Sequence, residues 1–331
     1  MPSRGAGLRQ QLISLAPQLA EQTADLVDRW LADLRTRLAS SESIEFRPKQ
    51  VNDPVWGMIE LLPWEVALLD TPLIQRMRGV RQLGLAQLVF PGANHGRLEH
   101  LIGVIGAAEE VLRSLRRQIE RWNRSSSPQL PLPHITDAQG YAIRMAALLH
   151  DIGHGPFSQA IELVLASESP LGTLTTEFDY SWRSELKEAG RVLKEIYGLD
   201  DDPAVSEVIA VFFVLAPAMW EVFASDKVMT GRQLTADAFQ EKVAAAIVGA
   251  IKGPGGDHLN AIISSQIDAD RLDYLARDAH HAGLEIGFDT DRLLSRLEVL
   301  RVREDKLAPG AVELRSRAAS STDQMFYQIG I

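Results

Sequence analysis

The sequence predicts a mostly α-helical protein with a few short β ribbons. Apolar residues recur at three- and four-residue spacing over long stretches, which is the period of an amphipathic helix. The clearest stretches are residues 8–38, 97–122 and 141–149. Alternation of apolar and charged residues, which indicates a half-buried hairpin, is found at residues 299–314. We see no internal repeat and no long low-complexity segment.

Composition narrows the class of protein. The chain has 331 residues, 46% hydrophobic and 24% charged, as in an ordinary globular protein of one or two domains. A net charge of -10 argues against a nucleic-acid-binding surface over the whole chain, while a local basic groove stays compatible. The absence of cysteine excludes disulfides, thiolate catalysis and cysteine-based zinc sites. With no signal peptide and no apolar run of bilayer length, we expect a cytoplasmic protein without membrane contacts.

The first 45 residues predict a helical arm. Its periodicity covers residues 8–38, and a serine cluster at 40–43 ends it. The arm could dock on the body or on a partner, or simply pack on its own domain, and we favour the last interpretation.

Residues 46–331 predict one further domain of successive helices. Residues 52–57 indicate a turn, and residues 58–61 a short strand. Gly283 closes the last long helix, a hairpin follows at residues 299–314, and a final helix begins at Ala318. The predicted helices begin at Pro63, Pro72, Arg97, Thr136 or Asp137, Phe157, Trp182, Pro203, Thr235 and His258.

A His-Asp pair at the end of an apolar helix is the main candidate for chemistry. His150 and Asp151 follow Leu149, and buried charges are costly unless they are paired or bind a metal. Imidazole and carboxylate together suit a divalent ion such as Mn, Mg, Fe or Zn. His100 and a later carboxylate could complete the ligand set. The candidate carboxylates are Asp268, Asp270, Asp273 and Asp278, with Asp270 favoured because it shares a helix face with Tyr274 and Asp278.

Simpler interpretations of these residues stay open at this point. His100 could be a buried, hydrogen-bonded histidine, and a His-Asp dipeptide occurs by chance in many proteins. The acidic stretch 268–278 could be a solvated helix face with ion pairs four residues apart.

Four longer motifs resemble those of the HD-domain deoxynucleoside triphosphate triphosphohydrolases, a family that includes dGTPases and SAM-and-HD-domain enzymes. The motifs lie in the family's order at residues 69–84, 90–104, 148–158 and 267–278. The resemblance implies a mostly helical HD-domain fold with small β hairpins and a divalent metal. It also implies attack of water on the α-phosphorus of a deoxynucleoside triphosphate (dNTP), releasing a deoxynucleoside and triphosphate.

The resemblance assigns roles to individual residues. It implies metal ligands at His100, His150, Asp151 and Asp270. It implies phosphate contacts for His154, Arg97 and Arg271, sugar contacts for Tyr274, Gln82 and Asp278, and a Leu83 side chain that excludes a ribose 2′-hydroxyl. Asp70, Gln75 and Arg78 match positions that hold a guanine nucleotide activator in the SAM-and-HD-domain branch. We favour a helix cap and surface charges there, because that activator site also needs neighbouring subunits of a homo-oligomer.

Two departures from the family pattern affect the predicted activity. Gln159 and Ser184 stand where the family has histidines that deliver a proton, while their acidic companions persist as Glu162 and Glu185. Neither Gln nor Ser titrates near neutral pH, and general acid catalysis typically contributes roughly 10²–10⁴-fold. Family members also continue into a C-terminal helical lobe, which we expect to be absent here, as a natural short form or through truncation.

Three functions therefore compete. The leading hypothesis is a metal-dependent phosphohydrolase acting on dNTPs. The second is a nucleotide-binding regulatory protein with weak or no turnover. The third is an HD phosphodiesterase or nuclease, which would act on another phosphoester such as a single-stranded oligonucleotide.

Overall fold

The fold is mostly helical, as the sequence predicts. The computed structural model describes residues 7–40, 46–125, 131–156, 182–228, 234–250, 254–285, 289–303 and 325–330. The α-helices of this part are α1 Leu8–Leu15, α2 Pro17–Ala39, α3 Pro63–Leu69, α4 Pro72–Gln75, α5 Arg97–Arg124, α6 Asp137–Leu149, α7 Trp182–Tyr197, α8 Val205–Leu215, α9 Pro217–Ala224, α10 Ala236–Ile247, α11 Ala269–Ala282 and α12 Thr290–Ser295. Short 3₁₀ helices are Arg76–Gly79, Ala86–Leu88 and His258–Ile262.

Prolines divide two of the predicted helices. The stretch predicted as one helix at 8–38 is α1 and α2, separated at Ala16 before Pro17. The helix predicted from Pro203 is α8 and α9, which meet at 57° before Pro217. Proline lacks a donor for the helix ladder and clashes with the preceding turn, so it starts a new helix instead of continuing one.

Two antiparallel ribbons complete the described part. Strand β1, Lys49–Asp53, pairs with β2, Gly57–Leu61, and β3, Glu298–Arg303, pairs with β4, Met325–Gly330. Strand β1 occupies part of the predicted turn. The turn between the two strands is therefore shorter than predicted. The Asp53 carboxylate stabilises this turn by accepting hydrogen bonds from the amides of Val55 and Trp56, both at 2.9 Å.

The predicted C-terminal helix is wrong over residues 325–330, which form strand β4 instead. The predicted partner of β3 at residues 312–314 lies outside the described residues, among which β3 pairs with β4. The segment contains Phe326, Tyr327 and Ile329, residue types that favour strands. Ile329 lies opposite the buried Val299 and packs on the core. The long-range pairing therefore decides the structure here.

Helix α5 packs against both α6 and α11, and the three helices position the candidate site. Thr136 caps α6 by accepting a hydrogen bond from the Gln139 amide at 3.2 Å, as one of the two predicted caps. Asp268 caps α11 in the same way through the Arg271 amide at 2.7 Å. Gly283, with φ of 68°, ends α11 in the left-handed region, as predicted.

The N-terminal helices pack on the rest of the chain. Helix α2 contacts α7, α8 and α9, and α1 contacts α7. Buried leucines of both helices belong to the same apolar core as α5 and α6. In the described part of the chain, no single helix is long and apolar enough to cross a membrane, although α8 and α9 pass that test as a bent pair.

Candidate metal centre and its cavity

Three helix ends bring the predicted metal ligands together. His100 lies in the first turn of α5, His150 and Asp151 directly follow α6, and Asp270 lies in the first turn of α11. Asp270 Oδ1 is 2.9 Å from His100 Nε2 and 3.6 Å from His150 Nε2. Asp151 carboxylate oxygens lie 3.6 Å from each of the same two nitrogens. His100, His150 and Asp151 lie close enough together to hold one divalent ion, and Asp270 lies beside both histidines.

The Nε2 atoms of the two imidazoles face the space between these side chains. Nδ1 of His150 donates to the carbonyl of Ala147 at 2.9 Å, and Nδ1 of His100 donates to Asp273 Oδ2 at 2.7 Å. Each bond places a ring proton on Nδ1 and directs Nε2 at the cluster. Both Nε2 atoms are buried, and Asp270 Oδ1 faces both of them. Buried nitrogen atoms placed in this way fit a metal ion.

The protonation equilibria of the cluster agree with a cation at its centre. Burial raises the pKa of Asp151 and of Asp270, but the neighbouring histidines and Arg97 outweigh burial, and both values lie below the usual range. Burial lowers the pKa of His100, but Asp270 and Asp273 outweigh it and raise that pKa to about 10. The carboxylates thus favour a positive charge at this position, and a metal ion bound there would compete with a proton for the same nitrogen and oxygen atoms.

A buried charge network supports His100 from behind. Asp273 accepts from Arg277 Nε and Nη2, both at 2.8 Å, and from the Trp56 indole at 2.7 Å. Arg277 Nη2 also binds Asp53 Oδ2 at 2.8 Å. A histidine whose second nitrogen is held by a carboxylate is the usual arrangement around protein-bound metals.

The cluster opens onto a cavity of about 650 Å³. Arg97 is buried in its wall and donates to Asp151. His154 Nε2 lies 3.2 Å from Asp151 Oδ1. The predicted site residues that line the cavity are Gln82, Leu83, Arg97, His150, Asp151, His154, Asp270, Arg271, Tyr274 and Asp278, while His100 lies buried beneath them.

Other predicted site residues lie elsewhere. Ser184 is exposed on α7, and the neighbouring Glu185 accepts a hydrogen bond from the Leu19 amide of α2 at 2.8 Å. Neither belongs to the cavity lining that the described residues form. Gln159 and Glu162 lie outside the described residues.

The residues of the predicted activator site also lie apart from the cavity. Asp70 binds Lys49 Nζ at 3.0 Å, and Gln75 accepts from Arg78 Nε at 2.8 Å. These contacts are on or near the surface.

Two residues of the site carried no sequence signal as functional groups. Glu207, in the first turn of α8, lines the cavity, and burial raises its pKa to about 7. In sequence it resembles any acidic residue that opens a helix. His95 is buried and holds Asp278 Oδ1 at 2.9 Å through Nε2. Its position two residues before Arg97 within a recognised motif is the one clue to it.

This fold and this cluster define an HD-domain protein. The HD domain family model matches residues 97–211, which include both histidines and Asp151. The chain belongs to the HD-domain superfamily.

Similar proteins include deoxynucleoside triphosphate triphosphohydrolase SAMHD1 from Bos taurus, 30% identical over 77% of this chain and 39% of that protein. The enzyme of the same name from Xenopus laevis is 32% identical over 83% of this chain and 40% of that protein. The uncharacterized protein YwfO from Bacillus subtilis is 30% identical over 78% of this chain and 46% of its own length. The chain thus spans less than half the length of these relatives.

Proposed function

We propose that this protein is a metal-dependent phosphohydrolase that converts a dNTP to a deoxynucleoside and triphosphate. One observation carries the proposal: the cluster of His100, His150, Asp151 and Asp270 adjoins a cavity that also contains Arg97 and Arg271. The cavity volume of about 650 Å³ suits a small-molecule site, for which roughly 300–1,000 Å³ is typical. A bound divalent ion would activate water at neutral pH and neutralise phosphate charge.

The cationic side chains would hold the triphosphate. Arg97 is buried and in contact with Asp151, so its guanidinium is fixed beside the ligand cluster. Arg271 extends from the first turn of α11 with 52% of its side chain exposed. Guanidinium groups match phosphate oxygens in charge and geometry. His154 would contact the α-phosphate.

The other side of the cavity would hold the deoxyribose. Gln82 and Asp278 offer hydrogen bonds for a 3′-hydroxyl, and the buried His95 keeps the Asp278 carboxylate in place. Tyr274 would pack on the sugar. Leu83 would exclude a ribose 2′-hydroxyl, because an aliphatic side chain offers it neither space nor a hydrogen bond.

Proton delivery to the leaving 5′ oxygen would differ from the family pattern. Ser184 replaces a family histidine, and Glu185 binds the backbone of α2. We assign the proton to His154, whose ring lies beside Asp151 at the cavity. A single general acid in place of a histidine relay predicts slow turnover, since this contribution is typically worth roughly 10²–10⁴-fold.

The test is incubation of the purified protein with each dNTP and Mn²⁺ or Mg²⁺, followed by chromatographic detection of triphosphate. Parallel reactions contain GTP or dGTP as a possible activator, and the oligomeric state of the protein is measured in each. His150→Ala and Asp151→Ala should abolish both metal binding and triphosphate release. His134→Ala, which changes an exposed loop residue, should keep both. No triphosphate from any dNTP under any condition would refute the proposal.

A regulatory role in nucleotide binding is the second candidate. It is favoured by the position of Glu185, whose carboxylate is engaged by Leu19 and not directed to the cavity. Tight dNTP binding in calorimetry without triphosphate release would support it. Restoring both histidines, as Gln159→His with Ser184→His, would then test whether loss of the relay is the cause. Cleavage of a single-stranded oligonucleotide would instead indicate a phosphodiesterase or nuclease.

A further inference from the structure

Arg76 binds the backbone of the turn that carries Asp151 and His154. Its guanidinium donates to the carbonyl of His154 at 2.9 Å and also to the carbonyl of Ile152. Both carbonyls belong to the turn that follows His150 and Asp151. A guanidinium that donates to two carbonyls of one turn restricts its conformation, because both bonds must be satisfied together.

Aromatic side chains cover this guanidinium. Its carbon atom lies 4.9 Å from the centre of the Trp30 ring and 5.9 Å from that of Phe213. The two rings contact each other edge to face at 5.7 Å. Burial lowers the pKa of Arg76 to about 10, so the group stays protonated at neutral pH. The rings thus exclude water from the cation and attract it through their faces.

Trp30 belongs to helix α2, and α2 is anchored independently of Arg76. Arg35 makes a two-pronged ion pair with Glu221 at 2.6 and 2.8 Å. Lys227 Nζ donates to the carbonyls of Leu38 and Ser40 at 3.0 and 2.6 Å. The helix can therefore present Trp30 at a fixed place against Arg76.

We propose that Trp30 and Arg76 are positioning residues for the proposed phosphohydrolase, holding the turn that carries Asp151 and His154 in its ligand-bearing geometry. The N-terminal helices then contribute to catalysis without contacting the substrate. The kinetic part of this inference rests on the proposed function, whereas its structural part does not. Displacement of reacting groups by about 1 Å can cost on the order of 10²-fold in rate, so a small loosening of the turn is measurable.

The test compares Trp30→Ala, Trp30→Phe and Arg76→Lys with Arg35→Ala. Arg35→Ala is the matched control, because it removes an anchor of the same helix without touching Arg76. Hydrogen exchange of the backbone amides at 150–155 is measured by mass spectrometry, together with the melting temperature, kcat and KM. For Trp30→Ala and Arg76→Lys we expect faster exchange of these amides and a fall in kcat of about 10- to 100-fold. Trp30→Phe, which keeps an aromatic face, should recover most of both.

The exchange measurement needs no turnover, so it separates the two proposals. If the wild-type protein releases no triphosphate but Trp30→Ala alone loosens the turn, the proposed function fails and the structural part of this inference stands. Equal exchange in Trp30→Ala and Arg35→Ala would overturn the inference. Faster exchange of these amides with an unchanged kcat in an active enzyme would overturn the kinetic part of the inference. A lower melting temperature shared with Arg35→Ala, without a change in exchange or kcat, would show that Trp30 only stabilises the fold.

Discussion

At the scale of single residues, the hydrogen bonds that Asp273 and Arg277 make around His100 explain how these charged groups can be buried together. Asp273 and Arg277 are inaccessible to solvent, and isolated buried charges would cost several kcal/mol each. Here every carboxylate oxygen of Asp273 has a donor, from Trp56, Arg277 or His100. The network therefore keeps His100 in one tautomer and one orientation. Removal of one member should leave the others uncompensated.

Asp273→Asn tests this support. The substitution keeps the size of the side chain but removes the charge that orders His100 and pairs with Arg277. Loss of such an outer partner typically weakens metal binding about 10- to 100-fold. We expect a decrease of that size in Mn²⁺ affinity, measured by calorimetry on metal-stripped protein.

Asp278→Asn is the control for that measurement. Asp278 lies on the same helix but pairs with His95 and not with a predicted metal ligand. Its Mn²⁺ affinity should match the wild type. Equal affinities for Asp273→Asn and wild type would contradict the supporting role of Asp273.

At the scale of elements, the close approach of α5 and α11 depends on a glycine. Gly103 lies one turn after His100 on α5. A β-carbon at this position would overlap with Asp273 Oδ1 and Arg277 Nη2. The Asp273–Arg277 pair that orders His100 therefore requires a glycine at position 103 of α5.

Gly103→Ala should destabilise the protein despite the higher helix propensity of alanine. That propensity is worth about 1 kcal/mol, while forcing atoms into a packed site typically costs about 1–3 kcal/mol and displaces the buried ion pair as well. We expect a net decrease in the free energy of unfolding, measured with urea. Gly190→Ala on α7 is the control, since its nearest neighbour would lie at 3.6 Å, and it should be neutral or stabilising. A stabilised Gly103→Ala protein would show that the helices can separate at little cost.

Local patterns predicted most of the described helices and, of the four described strands, β2 and β3. Apolar periodicity identified α5 and α6, and capping residues such as Thr136 and Gly283 marked their ends. Strand β4 was missed because it is stabilised by pairing with β3, more than twenty residues earlier in the chain. No local signal encodes such a contact.

Only part of the candidate site was predicted from the sequence. Its four candidate metal ligands were identified from motifs, and the structure brings them together. The roles of Asp53, His95 and Glu207 were not, because each depends on a neighbour distant in sequence. Asp53, for example, meets Arg277 across 224 residues. Candidate ligands can be identified from residue types and motifs, whereas the residues that orient those ligands become evident only in the folded structure.

At the scale of the whole molecule, the N-terminal helices and the HD domain share one core. Helix α2 takes the Glu185 carboxylate at its N-terminus and places Trp30 over Arg76. Glu185 is itself a predicted site residue, and Arg76 binds the backbone of the turn that carries Asp151 and His154. Helix α2 therefore contacts the protein at two points connected with the candidate site, one through Glu185 and one through Arg76.

The most direct measurement of the central claim is the position of oxygen-18 after turnover in labelled water. Attack of water on the α-phosphorus, with the proposed release of the deoxynucleoside, predicts that the label enters triphosphate and that the deoxynucleoside stays unlabelled. Mass spectrometry of the separated products, with Asp151→Ala as the inactive control, resolves the two. Label in the deoxynucleoside, or products consisting of a monophosphate and pyrophosphate, would contradict the account.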